Sequence, residues 1–193
     1  MEALLNKTKI LNPDFNLDDE KLTELCQAND AYGQEVLYNR YVHIMLRLCL
    51  RYMKEELEAE DIMVTGFVKV FSKINTFEYR GVGSLEGWIK RIMVNECLMA
   101  LRKKKYDKVG LDHVSHFLDN GIQIDSQLHA EEIFSAVQNL PRGYRTVFNM
   151  YAIEGYSHKE IAKKLNINEN TSKSQLSKAR GSLRKSLIKM GLV

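Results

Sequence analysis

Between Ser157 and Leu187 the chain carries enough helix punctuation to fix two helices and the corner that joins them. Ser157 and Glu160 form a Ser-x-x-Glu capping box, which starts the first helix. Ile161, Ala162 and Leu165 form its inward face, and Ala162 is small where two helices must approach closely. Asn166 falls at the corner, a place that demands the left-handed backbone Asn tolerates. Ile167 plugs the turn and Asn168 caps the next helix. That helix has an inward stripe of Ser172, Leu176, Ala179 and Leu183. Its outward row is Lys173, Ser174, Gln175, Ser177, Lys178 and Arg180. This is the pattern of a helix-turn-helix, whose second helix enters the major groove. The charge agrees, because six basic residues and one acidic residue, Glu169, lie between Leu165 and Val193. A merely solvated hairpin mixes signs, whereas cations with short polar side chains suit phosphates and base edges.

The rest of the chain also reads as helix. Only two prolines occur, Pro13 and Pro141, and alternating strand-like runs are lacking. The spacing predicts a short helix from about Asp18 to Cys26, opened by acidic residues, and a longer one from about Ala31 to Met53. In the second, Val36, Leu37, Tyr41, Ile44, Met45, Leu48 and Cys49 recur at three- and four-residue steps. A third helix runs from about Glu58 to Lys73, with Ile62, Met63, Phe67, Val70 and Phe71 inward. A glycine-punctuated loop follows at 75–83, and Ser84 is read as the cap of a fourth helix, from Leu85 to about Lys105. The pattern then breaks at 106–128, which reads as a linker. Helices at Ala130–Asn139 and Pro141–Ile153 precede the terminal pair. The expected architecture is all-α. A domain over 1–105, the linker at 106–128 and a second domain over 129–193 make up the chain.

Charge divides the chain in the same way. Residues 129–193 hold 11 Lys/Arg and 5 Asp/Glu (+6), and residues 1–128 hold 17 and 20 (−3). Two modules with different partners are implied. In the first module, Phe77, Tyr79, Arg80, Lys90 and Arg91 mix rings with cations, the chemistry that holds unpaired bases and their backbone. Phe77 and Trp88 suit a core better than a base platform. Cys26, Cys49 and Cys97 are odd in number, far apart and set among apolar residues, so they read as reduced core thiols. No long apolar run stands at the N-terminus or later, which predicts a cytoplasmic protein without a membrane span.

An enzyme is the class least supported. The histidines at 43, 113, 116, 129 and 158 are scattered. His113 and His116 beside Asp112 are a thin metal candidate that reads better as solvated linker. His158, in the capping turn, is expected to face solvent. The acidic run Glu55–Asp61 lacks a base, a nucleophile or a phosphate loop beside it. No catalytic residue, metal, cofactor or small-molecule substrate is expected.

Two blocks of this sequence, in this order, resemble the bacterial sigma factors of the sigma-70 family, extracytoplasmic-function (ECF) type. The first block is Ala59-Glu60-Asp61-Ile62, then Phe67 and Phe71, then Gly83-Ser84-x-x-x-Trp88-Ile89-x-Arg91-Ile92-x-x-Asn95. The second begins Leu140-Pro141-x-x-x-Arg145-x-Val147-Phe148 and continues with Gly155-Tyr156-Ser157-x-x-Glu160-Ile161-Ala162. It ends in Thr171-x-Lys173-Ser174-x-Leu176-x-Lys178-Ala179-Arg180. The resemblance implies a protein that joins core RNA polymerase and directs it to promoter DNA. The loop from Phe77 to Ser84, with Tyr79 and Arg80, would hold a flipped-out base of the minus-ten element. Lys90, Arg91 and Asn95 would face the opened strand. Thr171, Lys173, Ser174, Gln175, Lys178 and Arg180 would read the duplex minus-thirty-five element. Asp61, Val64, Thr65 and Val68 would dock on the polymerase. An inhibitory anti-sigma factor is the further partner that such relatives bring.

Three positions depart from the family pattern. Val64 and Thr65 replace a usual Gln-acid pair, so docking is expected to use a more apolar patch. Ser172 stands where an inward Val is common, and its hydroxyl must either loosen the helix pair or find a local partner. Gln175 replaces a common Arg, and Gln matches adenine's donor–acceptor edge where Arg matches guanine. Two rivals remain at this level. A helix-turn-helix regulator with an N-terminal sensor would not need the Phe71–Asn95 block. A helical adaptor would show no salt-dependent affinity for DNA.

Overall fold

In the computed structural model, residues 17–107 and 125–192 are described, with the side chains of 104–107 and 125–129 excepted. Eight α-helices form among the described residues: α1 (Asp19–Gln27), α2 (Ala31–Tyr52), α3 (Glu56–Lys73), α4 (Ser84–Asp107), α5 (Asp125–Gln138), α6 (Arg142–Phe148), α7 (His158–Leu165) and α8 (Glu169–Lys189). Local chemistry places most of the boundaries. The Asp18 side chain accepts from the Lys21 amide at 2.7 Å and starts α1. Asp30 does the same for α2 through the Gly33 amide at 2.8 Å, after Asn29 turns the chain with φ 57°. The last turn of α1 and the start of α2 lie so close that a Cβ on Gly33 would fall 2.5 Å from the Leu25 Cβ.

Three boundaries differ from expectation. Ser84 is the first residue of α4 rather than its cap. Its hydroxyl donates to the Gly81 carbonyl at 2.6 Å and accepts from the Arg80 amide at 3.2 Å, bracing the preceding loop. The helix expected to begin at Ala130 begins at Asp125, so the described part of the 106–128 segment is helical at both ends; residues 108–124 lie outside the described residues. The helix expected over Pro141–Ile153 is α6 followed by a single π turn, Asn149–Ile153. Gly155, at φ 77°, ends that turn.

α1–α4 pack around Leu37, Met45, Leu48, Phe67, Leu85, Ile89 and Met93, all buried. Ile44, read as inward, is 43% exposed and lies outside that core. In the second module, Val147, Met150, Ile161, Leu176, Ala179 and Leu183 are buried. The two modules meet along the C-terminal end of α2. A helix end leaves its last carbonyls without partners, and here the second module supplies the donors. Gln138 Nε2 donates to the Leu50 carbonyl at 2.9 Å, Asn149 Nδ2 to that of Arg51 at 2.7 Å, and Arg145 Nη2 to that of Tyr52 at 3.2 Å. An Arg51–Glu154 ion pair of 2.8 Å, largely shielded from solvent, runs beside them.

Candidate nucleic-acid interface

The corner of the terminal pair forms as its residues dictate. The Ser157 hydroxyl accepts from the Glu160 amide at 3.3 Å, while the Glu160 carboxylate accepts from the Ser157 amide at 2.9 Å and from its hydroxyl at 2.7 Å. Those bonds hold the Glu160 carboxyl below its ordinary pKa. Asn166 takes the left-handed conformation, φ 53° and ψ 52°, and Asn168 accepts from the Asn170 amide at 2.8 Å to open α8. All four residues of the expected inward stripe, Ser172, Leu176, Ala179 and Leu183, are buried.

On the outer face of α8, Lys173, Ser174, Lys178 and Arg180 are exposed and Thr171 is half-buried. Lys173 pairs with Glu169 one turn earlier at 2.8 Å, which lowers the Glu169 pKa. Arg180 lies over the Tyr151 ring, 5.8 Å from its centre. Two positions differ from the outward reading. Gln175 is half-buried, because its side-chain amide lies against Gly143 of α6, where the missing Cβ leaves room for it. His158 is half-buried rather than solvated: its ring stacks on Tyr151 with 4.4 Å between centres, and its Nδ1 lies 2.9 Å from the Ser172 hydroxyl. The hydroxyl that stands where an apolar residue is usual has thus found a local partner.

The loop before α4 is equally specific. Gly81 (φ 102°) and Gly83 (φ 80°) both take the left-handed region that glycine accepts without strain. Between them Val82 is 99% exposed, an apolar tip that sequence reading did not single out. Its only signal was its place between the two glycines. Phe77 is buried against Trp88, with ring centres 5.0 Å apart. It forms the loop's inner wall and offers no free ring to a base, because the apolar pair gains more from burial than from exposure. Tyr79 is half-buried and Arg80 exposed, the latter paired with Glu78 at 3.2 Å. The Gln27 side chain fastens the loop's root by donating to the carbonyls of Ile74 at 3.1 Å and Phe77 at 2.8 Å.

Along α4, Arg91 is exposed and Lys90 pairs with Glu86 at 2.6 Å. Asn95 accepts from Lys164 of α7 at 2.9 Å, and Arg102 of α4 bonds the Lys164 carbonyl. The first module's candidate strand-binding helix therefore touches the second module. The α3 face behaves differently. Asp61, Val64, Thr65 and Val68 are all exposed, as is Leu57 one turn before them. Leu57, Val64 and Val68 thus leave an apolar strip on one exposed helix face. Cys26, Cys49 and Cys97 are buried free thiols. Burial pushes the Cys26 thiol up to about 11. Among the described residues no cluster of His, Cys, Asp and Glu can hold a metal, and no helix is long and apolar enough to cross a membrane. His113 and His116 lie outside the described residues.

Comparison with known proteins matches both modules. Residues 37–106 match Sigma-70 region 2, and residues 130–183 match Sigma-70, region 4. The ECF RNA polymerase sigma factor SigW of Bacillus subtilis is 30% identical over 171 residues, covering 82% of this chain and 89% of the relative. The RNA polymerase sigma-H factor of Pseudomonas aeruginosa is 26% identical over 182 residues, covering 88% of this chain and 93% of the relative. Two solved structures share the fold. One is CnrH in complex with the cytosolic domain of CnrY, with a TM-score of 0.50, 19% identity and coverage of 89% of this chain and 97% of that one. The other is the sigma factor RpoE in complex with the anti-sigma factor NepR from Bartonella quintana, with a TM-score of 0.50, 22% identity and coverage of 78% and 96%. A four-helix module with an exposed apolar face, a braced glycine loop and a capped helix-turn-helix thus join with two matched regions and near-full-length relatives: the chain belongs to the ECF RNA polymerase sigma factors.

Proposed function

We propose that this protein joins bacterial core RNA polymerase and directs it to specific promoters, where it starts transcription by holding two DNA elements in different states. The observation that carries the proposal is the presence of regions 2 and 4, in that order, within one chain.

Each part has a physical task. The exposed face of α3, with Leu57, Asp61, Val64, Thr65 and Val68, docks on the polymerase, and its apolar side chains supply the contact area. The loop 77–84 and the α4 residues Lys90, Arg91 and Asn95 capture the opened minus-ten strand. Unpaired bases must be trapped as they leave the stack, because trapping offsets the lost pairing and stacking. Arg80 and Arg91 attract the phosphate backbone, Tyr79 and Val82 offer the bases an apolar surface, and Phe77 with Trp88 keeps the loop in shape. The helix α8 enters the minus-thirty-five major groove. Lys173, Lys178 and Arg180 meet phosphates, and Thr171, Ser174 and Gln175 reach toward base edges once Gln175 swings away from Gly143. An anti-sigma factor, as NepR is for the RpoE of that complex, would compete for these same surfaces.

Run-off transcription with purified core polymerase on a genomic promoter library tests the function. RNA from a defined set of start sites, absent with core alone, is the expected result. A helix-turn-helix regulator bound to DNA yields no such RNA, and that outcome would refute the proposal.

A further inference from the structure

We propose that His158 is a positioning residue for duplex recognition: with Tyr151 it grips α8 at two points and so sets how that helix meets DNA. The inference rests on the reading of α8 as the groove-entering helix.

Ser172 is fully buried on the inward stripe of α8. A buried hydroxyl needs a partner, and the one observed is His158 Nδ1 at 2.9 Å. His158 is the first residue of α7, so the bond ties the far end of α7 to the first turns of α8. The corner Asn166–Asn168 already joins the two helices at the other end of α7. A corner alone leaves the crossing angle free to swing, and a second tie removes that freedom. The His158 ring then stacks on Tyr151, and Arg180 lies over that same Tyr151 ring. Ser172 and Arg180 are eight residues apart on α8, a rise of about 12 Å. One aromatic pair, drawn from α7 and the π turn before it, therefore contacts the recognition helix two turns apart. Ile161 and Leu176, buried in one apolar core, confine the crossing of α7 and α8 by shape but carry no direction of their own. The hydrogen bond and the guanidinium-over-ring contact do carry one. The pair also constrains Arg180, so the cation that meets phosphate starts from a fixed place.

The test uses full chains bound to core polymerase. A duplex promoter fragment selected by the unsubstituted holoenzyme is compared with a pre-opened fork template that lacks the upstream element. Ser172→Ala and His158→Ala should each raise the dissociation constant for the duplex promoter about three- to tenfold, the span of one neutral hydrogen bond. Affinity for the fork should stay unchanged. The double variant should lose no more than the worse single variant, because both substitutions break one bond. His158→Asn, which keeps a polar atom near the Nδ1 position, should recover most of the loss to Ser172. Additive losses, equal losses on both templates, or no loss would overturn the proposal. An unsubstituted holoenzyme that binds both templates equally would instead refute the duplex-reading assignment. In that event, hydrogen exchange of Glu169–Leu176 in the full chain still decides the positioning role. Faster exchange in either alanine variant supports it, and unchanged exchange overturns it.

Discussion

Glu160 and Lys178 differ in what they hold, and the difference can be measured. Glu160 binds its own helix start, and its pKa is lowered chiefly by the Ser157 hydroxyl and then by the Ser157 amide. A carboxyl whose folded pKa is depressed adds stability above its unfolded pKa and loses it as pH falls through the folded value. Thermal unfolding of the full chain should therefore show a loss on acidification through the carboxylate range that Glu160→Gln reduces, the remainder including the contribution of Glu169, whose pKa Lys173 lowers. Ser157→Ala should cost about 1 kcal/mol at neutral pH in the same measurement. Lys178 is exposed on the outer face of α8, where the proposed function assigns it to the phosphates. Lys178→Ala should weaken all promoters alike and flatten the salt slope of binding by about 1. A sequence-selective loss would place it at a base instead. The cap was readable from sequence because both partners lie within four residues of each other. The surroundings of His158 and Gln175 were not readable, because Ser172 and Gly143 reach them only through the fold.

At the scale of elements, short-range signals located most helices and long-range packing decided the rest. Asp18, Asp30, Ser157, Asn166 and Asn168 each mark a boundary with a side-chain or backbone preference that acts locally, and each boundary formed there. The π turn after α6 had no such mark, since Asn149–Ile153 carries no Gly or Pro. Its geometry answers to the module seam, where Asn149 bonds the Arg51 carbonyl. Phe77 followed the core reading of its ring: it packs on Trp88 rather than standing among the cations as a base platform. Two predictions belong here. Gly33→Ala should destabilise the first module by about 1–3 kcal/mol in urea unfolding, because the added Cβ meets the Leu25 Cβ at 2.5 Å and the Leu25 carbonyl carbon at 3.2 Å. Val68→Asp should leave unfolding unchanged, since the side chain is 64% exposed, yet lower affinity for core polymerase at least tenfold by burying a charge in an apolar contact.

For the whole molecule, the arrangement of the modules sets what must happen at a promoter. Lys164 of the second module occupies Asn95 on the candidate strand-binding helix. Val147, Met150, Ile161 and Leu176 share one buried apolar core with the first module, and beside it the Tyr52 hydroxyl and Asn149 Oδ1 are buried without hydrogen-bond partners among the described residues. Such unpaired groups weaken a seam that the shared apolar core holds, and the exposed Asn95–Lys164 bond is the part that DNA exchanges most readily for new partners. The α3 face proposed to dock on the polymerase needs no such change, because it is exposed already. In the proposed function one chain holds duplex upstream and opened strand downstream at the same time. Nuclease footprinting and permanganate reactivity, read on one promoter with chain and core polymerase together, test it most directly. The prediction is upstream duplex protection together with reactive, unpaired thymines in the downstream element, both lost when either protein is omitted. Opened DNA without upstream protection, or upstream protection over DNA that stays closed, would contradict it.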